Sequence, residues 1–260
     1  LVLNRGSEMV KTLTNESSNA ALLRMPLNEN RQHQLAVYQI HQKLVAFADV
    51  NTDMLDSVAI FYPRQDICVF SQFGFKLLYQ KYNYEYARLY SLLTKKSGVR
   101  ASWQFLAPEE SMLYPEGCLA FTALPLWTAD APASSPCAAF FIKERFLREM
   151  LRSMATAGQQ VYLLDGEGRV VCASDDTPVG LRMENPVLTA MLAAPSGEIL
   201  SAVDWAQNQV FACCALEGIP LRIVIAMDVD SWRGSTGQIQ LYVCLTGLGV
   251  LALAFCMVLL

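Results

Sequence analysis

Val58–Ser71 reads VAIFYPRQDICVFS, and Val161–Ser174, 103 residues later, reads VYLLDGEGRVVCAS. Each is an apolar run rich in β-branched or aromatic residues, then a turn, then a second apolar run, which is the pattern of a β-hairpin. The first turn is Pro63-Arg64-Gln65-Asp66; the second is Asp165-Gly166-Glu167-Gly168, with two glycines to supply backbone freedom. Aligned without gaps, the stretches match apolar to apolar at most strand positions and turn to turn in the middle, although few side chains are identical. A pattern that returns without its residues points to a repeated structural unit.

The repeat continues downstream. After the first hairpin, Leu77–Leu93 is Tyr-rich and helix-compatible, and Ser102–Leu106, Cys118–Leu124 and Cys137–Ile142 are extended runs. After the second come a short helix over Pro186–Ala193 and extended runs at Gly197–Asp204, Gln209–Leu216 and Leu221–Met227. Hairpin, helix, three strands: the order occurs twice, and it predicts an α+β chain of two tandem units with antiparallel five-stranded sheets. Upstream, Asn28–Ala48 is an amphipathic helix, with Val37, Ile40, Leu44 and Phe47 recurring at three- and four-residue steps. Pro26 marks its approach, and Glu8–Leu23 is helix-compatible as an earlier length of the same rod. The expected organisation is a helical stalk over residues 5–57, a first unit over 58–142, a linking helix over 143–157 and a second unit over 158–230.

The chain has 260 residues, 53% apolar and 17% charged, with a formal net charge of −4, which excludes a disordered tail and a general nucleic-acid binder. Much of the apolarity sits at one end. Ile239–Leu260 holds no Asp, Glu, Lys, Arg or His, and a helix of that length crosses a bilayer core of ~30 Å. It is expected to be a C-terminal transmembrane helix. Within it, Val243–Ala252 (VCLTGLGVLA) imitates a dinucleotide-binding turn, but too few residues follow for a βαβ unit. Leu1 is not a start Met, and the apolar run reaches the end of the chain, so a longer parent protein is expected. Between Leu221 and Gln238 only Arg222 and Arg233 are basic, a weak bias that suits the outer face of a membrane. Residues 5–238 are therefore expected to be extracytoplasmic at the cell membrane.

The chemistry of catalysis is sparse. Asp49-x-Asn51-x-Asp53 opens like a calcium loop, yet Met54 stands where the loop needs Gly and Ile60 where it needs a bidentate Glu. His33 and His41 lie eight apart on one helix with no HExxH, and there is no GxSxG elbow or phosphate loop. No catalytic residue, metal ligand or cofactor is assigned. Eight cysteines are too few and too irregular for a disulfide scaffold; buried free thiols are expected, with room for one disulfide. A ligand site is read from the aromatic run Tyr79, Tyr82, Tyr84, Tyr86 and Tyr90 with Arg88, near Trp103 and Gln104. Phenol rings beside a guanidinium give an apolar wall with fixed donors, as a small polar ligand requires. The candidate set is Tyr82, Tyr86, Arg88, Tyr90, Trp103 and Gln104, against the plainer account in which Tyr86 and Tyr90 pack a helix onto a sheet.

Taken whole, the chain resembles a double Cache sensor, the paired PAS-like extracytoplasmic domain of bacterial receptors. The parts are a long helix (Glu8–Ala48), a distal unit (Val58–Ile142), a linking helix (Lys143–Met154), a proximal unit with a strand-DG-strand hairpin (Val161–Asp228) and a span (Ile239–Leu260). The most family-like stretch, Phe140–Gly180, contains FFIKERFLREMLRSM and QQVYLLDGEGRVVCASDDTPVG and is similar to the middle of sensor regions in membrane-bound AraC-type regulators and histidine kinases. The Tyr/Arg/Trp/Asp signature by which some members bind amino acids is not legible, so amino-acid sensing is not carried over. The resemblance implies a small-molecule ligand, a membrane-relayed signal to an AraC-type or kinase output, and a homodimer paired through the N-terminal helices. Val37, Ile40, Leu44 and Phe47 then form either the dimer seam or part of each unit's own core. The competing class is a membrane-anchored structural or adhesive ectodomain without signalling.

Overall fold

A computed structural model describes residues 31–77, 84–94, 101–123, 136–194, 199–216 and 219–231. Helix α1 (Arg31–Val50) leads through a tight turn into β1 (Leu55–Tyr62), which returns as β2 (Ile67–Phe70) after one 3-10 turn at Pro63–Gln65. Asp66 closes that turn in the left-handed region, φ 56°. There follow β3 (Gly74–Leu77), α2 (Glu85–Thr94), β4 (Ala101–Leu106), β5 (Cys118–Ala123) and β6 (Cys137–Ile142). The second unit runs α3 (Glu144–Met154), β7 (Gln159–Asp165), β8 (Val170–Ala173), α4 (Pro186–Leu192), β9 (Ile199–Asp204), β10 (Gln209–Ala215) and β11 (Leu221–Asp228). The predicted span Ile239–Leu260 and the segment Glu8–Leu23 lie outside the described residues. Among the described residues no helix is long and apolar enough to cross a membrane.

The two sheets are antiparallel and share one topology. Their strand orders are β3-β2-β1-β6-β5-β4 and β8-β7-β11-β10-β9, so the last five strands of the first sheet map one to one onto the second. The first sheet has six strands, not the predicted five. Gly74, at φ +66°, turns the chain back so that Gly74–Leu77 pairs with Ile67–Phe70 at the edge. The sequence expectation had taken Leu77 as the start of a helix. Four residues with alternating half-burial are too short a strand to announce themselves by period.

The repeat is reproduced in its hydrogen bonds. The amide of Val58 donates to Ser71 Oγ at 3.0 Å, and Val161 donates to Ser174 Oγ at 2.9 Å. In both hairpins the Ser amide donates back to the Val carbonyl at 2.8 Å. Val and Ser are the only identical positions in the two aligned stretches. The hydroxyl caps an amide that the end of the hairpin ladder would leave unpaired, a local need that persists while the packing residues drift.

Strand alternation gives each sheet two apolar faces. One face of the first sheet meets α2 through Phe61, Phe70, Leu89, Leu93 and Phe141. One face of the second meets α4 through Tyr162, Leu164, Leu188, Phe211 and Val224. The remaining faces share one cluster, which runs from Ile40, Leu44, Ile60 and Phe140 to Leu147, Leu151, Val161, Leu163 and Leu221. Ile40 and Leu44 are therefore core residues, 2% and 1% exposed, and not a seam; among the described side chains of α1, the exposed large apolar residues are Leu35, Tyr38 and, at its end, Val50. Phe47 packs its edge on Phe140, ring centroids 5.8 Å apart. The Asp49–Asp53 segment ends α1: the Asn51 side-chain amide donates to the Phe47 carbonyl at 2.9 Å, and the Asn51 carbonyl accepts from Met54 and Leu55.

The Tyr62 hydroxyl is buried with no hydrogen-bond partner among the described residues, and burial pushes its phenol pKa up. Since an unpaired buried hydroxyl costs about 1–3 kcal/mol, Tyr62→Phe is expected to stabilise the fold by roughly that amount. Thermal unfolding should show a melting temperature a few degrees higher; a lower one would mean that the hydroxyl is satisfied.

Candidate functional site

Helix α2 has the sequence EYARLYSLLT, with apolar or aromatic residues at 86, 89, 90 and 93 and an acidic residue in its first turn. That spacing lays Tyr86, Leu89, Tyr90 and Leu93 on the six-stranded sheet. The Tyr86 ring lies 5.7 Å from that of Phe70, and the Tyr90 ring 5.6 Å from that of Phe61. Between β4 and β5 the chain folds back over the same face and stacks Tyr114 on Phe141, centroids 4.5 Å apart with planes at 19°. The result is an aromatic layer between helix, loop and sheet.

Polar groups are held at fixed places in that layer. Gln104, on β4, donates from Nε2 to the Leu93 carbonyl at 2.8 Å and so pins the sheet to the last turn of α2. Tyr114 and Ser57 share a buried hydroxyl–hydroxyl bond of 2.7 Å, and Ser102 pairs with Thr122 at 3.0 Å. Burial and the nearby Cys118 thiol push the Tyr114 phenol well up, opposed by its bond to Ser57, so it remains neutral. Burial, Cys68 and Glu85 likewise raise Tyr86. The Tyr86 hydroxyl makes no hydrogen bond among the described residues. At the rim, Glu85 Oε1 accepts from Ser111 Oγ at 3.0 Å and from the Met112 amide at 2.7 Å.

The structure divides the residues picked out in the sequence. Tyr86, Tyr90 and Gln104 come together on the α2 face of the sheet. Trp103 does not: it packs on Phe121 at 4.9 Å in the α1-side layer, because adjacent residues of a strand point to opposite faces. Arg88 lies two residues from both tyrosines, so the helical period turns it outward, where it donates to the Glu109 carbonyl at 3.3 Å. Tyr82 and Tyr79 lie outside the described residues, and Tyr84 is exposed. Ser57, Glu85, Ser111 and Tyr114 contribute polar contacts that the sequence reading passed over. Glu85 carried a signal, an acid at a helix start; the others meet only through tertiary folding.

No nucleophile is poised here. Six cysteines among the described residues are free thiols, and all but Cys214 are buried. Burial pushes Cys68, Cys137 and Cys172 up to about 12, the reverse of what thiolate chemistry needs. Among the described residues no three His, Cys, Asp or Glu side chains gather as a metal site.

No protein-family model matches this chain, and no curated protein matches its sequence. Solved structures do match it, over most of both chains. The extracellular domain of a protein described as a histidine kinase, rpHK1S-Z16, aligns with a TM-score of 0.56 at 15% identity, over 88% of this chain and 93% of its own. The fold is that of a double Cache sensor domain. The ligand-binding domain of the Pseudomonas aeruginosa amino-acid chemoreceptor PctB, solved with L-Arg, gives a TM-score of 0.55 at 12% identity, covering 93% and 92% of the two chains. The PctC domain from the same organism, solved with GABA, gives 0.53 at 15%, covering 87% and 91%. At such identities the likeness carries the double Cache fold and none of the side-chain contacts to those ligands.

Two measurements test the site's physics. Tyr114→Phe and Ser57→Ala each strand one buried hydroxyl and should cost about 1–3 kcal/mol in denaturant unfolding, while the double variant should cost less than their sum. Strict additivity would show that the pair is not coupled. For the thiols, a raised folded pKa means that the native state holds protons the unfolded state releases. Their stabilising contribution is therefore full below about pH 9 and is lost as pH rises toward 12. Of the six described cysteines, native protein at pH 8 should take up a thiol reagent at Cys214 and spare the five buried thiols until it unfolds; prompt labelling of Cys68 would contradict this.

Proposed function

We propose that residues 5–238 form the extracytoplasmic ligand-sensing module of a bacterial transmembrane receptor. The observation that carries the proposal is the double Cache fold over most of the chain, with an aromatic layer in the distal unit that holds neutral hydrogen-bonding groups at fixed positions. A small polar solute would lie against the α2 face near Tyr86, Tyr90 and Gln104, where phenol rings supply contact area at low entropy cost and amides and hydroxyls set orientation. Arg88 and Glu85 would border its entrance. Tyr82 remains a proposed contributor, and Trp103 acts from behind the sheet by packing. In this reading the module binds its ligand and does not transform it. Relatives of this fold were solved with L-Arg and GABA, which makes zwitterionic amino acids the first class to try.

In this reading the distal unit selects a conformation when ligand binds, and the proximal unit passes a shift to the proposed membrane helix Ile239–Leu260. Two copies would pair along α1, whose outward face carries Leu35 and Tyr38. The output beyond the membrane would be an AraC-type DNA-binding domain or a kinase. Screening the purified chain by thermal shift against GABA and the proteinogenic amino acids, L-arginine included, should find at least one stabilising solute. Stabilisation should vanish in Tyr86→Ala and in Gln104→Ala and persist in Arg145→Ala, which lies on α3. If Tyr86→Ala and Gln104→Ala respond like the parent protein, the site assignment is wrong.

A further inference from the structure

The loop between β4 and β5 touches three things at once. On one side it is tied to α2: Glu85 holds Ser111 and the Met112 amide, and Arg88 holds the Glu109 carbonyl. Ser111 is itself buried and braces the Leu113 amide at 3.2 Å. From beneath, Tyr114 anchors the loop in the aromatic layer through Phe141 and Ser57. On the far side it meets the second unit. Arg169, in the Asp165-Gly166-Glu167-Gly168 turn region, lies with Nη1 3.9 Å from both Glu109 and Glu110 and its guanidinium 5.7 Å from the centroid of the Phe105 ring.

The receiving end is rigid. Asp165 accepts from the Arg169 amide at 2.9 Å and from Arg169 Nε at 2.8 Å, which fixes the guanidinium. The Gly180 amide donates to the Val170 carbonyl at 2.7 Å and the Met183 amide to that of Gly168 at 3.0 Å, which ties the turn to the segment around Gly180. That piece interlocks with the loop at van der Waals distance. A Cβ on Gly180 would stand 2.9 Å from Pro108 Cδ, and one on Gly117 would stand 2.9 Å from Val179 Cγ1. Both glycines have positive φ, +84° and +79°, and leave no room for a methyl group. Displacement of the loop therefore has to displace the turn.

We propose that the β4–β5 loop, residues 107–117, is a latch that carries the position of α2 to the turn of the second unit, with Arg169 as its catch. The inference deepens the sensor reading, because α2 is the helix against which that reading places the ligand. It can be tested without a ligand, so an empty ligand screen leaves it standing and its failure leaves the site standing. The experiment is hydrogen–deuterium exchange on the 260-residue chain in detergent, comparing the parent protein with Glu85→Ala, Glu85→Gln, Arg169→Met and Glu149→Ala.

Glu85 holds the loop through Ser111 and the Met112 amide, so Glu85→Ala should raise exchange in peptides covering 165–183 by about fivefold or more, as expected when charge-assisted hydrogen bonds are lost. Glu85→Gln, which keeps an acceptor, should show a smaller rise. Arg169→Met should act in reverse and raise exchange in the first turn of α2. Glu149→Ala breaks only the exposed pair with Arg145 and should leave both regions unchanged. Effects confined to the unit that carries the substitution would overturn the latch. So would equal rises in all four variants, which would mark general loosening.

Discussion

Both units rest on a shared apolar layer. One face of each sheet drains into a single cluster that α1 covers at one end and α3 at the other, so neither sheet has a private second core. A unit of this size buries too small a fraction of its surface to be secure alone, and pooling one layer relieves both. The arrangement also constrains function. With α1-side faces committed to packing, only the α2 and α4 faces remain to differ between the units.

They differ in chemistry. The α4 layer of the second unit is mainly aliphatic, with Leu164, Leu188, Met191 and Val224 beside the two rings of Tyr162 and Phe211, and Asn185 at its edge serves structure: it caps α4 by accepting from the Leu188 amide and donates to Asp204 at 2.8 Å. Hydrogen bonds from Asn185 and from the amides of Gln207 and Ala206 hold Asp204 below its ordinary carboxylate range, against its own burial. The α2 layer of the first unit is aromatic and threaded with neutral polar groups. One topology thus carries two different outer layers, the difference lying in which side chains point out of the sheet.

Much of this was legible in the chain. The hairpins, the short helix after the second, and the three strands that close each unit fall close to where alternation and turn residues place them, and α3 runs over Glu144–Met154, where the linking helix was expected. The edge strand Gly74–Leu77 was not, because four half-buried residues carry too little periodicity. Of the candidate site, Tyr86, Tyr90 and Gln104 share a face, but Trp103 and Arg88 do not. Proximity in sequence stood in for proximity in space. A strand separates neighbours onto opposite faces and a helix separates residues two apart, so a cluster along the chain is divided when it folds.

The sequence by itself determined the repeat, because alternating apolar runs around a turn can bury one face only by pairing as a hairpin, and because two Val–Ser pairs 103 residues apart answer the same local hydrogen-bonding need. Tertiary structure alone decided that Ile40 and Leu44 are core and not seam, that Tyr114 finds Ser57 across 57 positions, and that Arg169 reaches Glu109 and Glu110 in the other unit. Those contacts depend on how loops cross over sheets, and the local preferences of a residue and its near neighbours hold no record of that path.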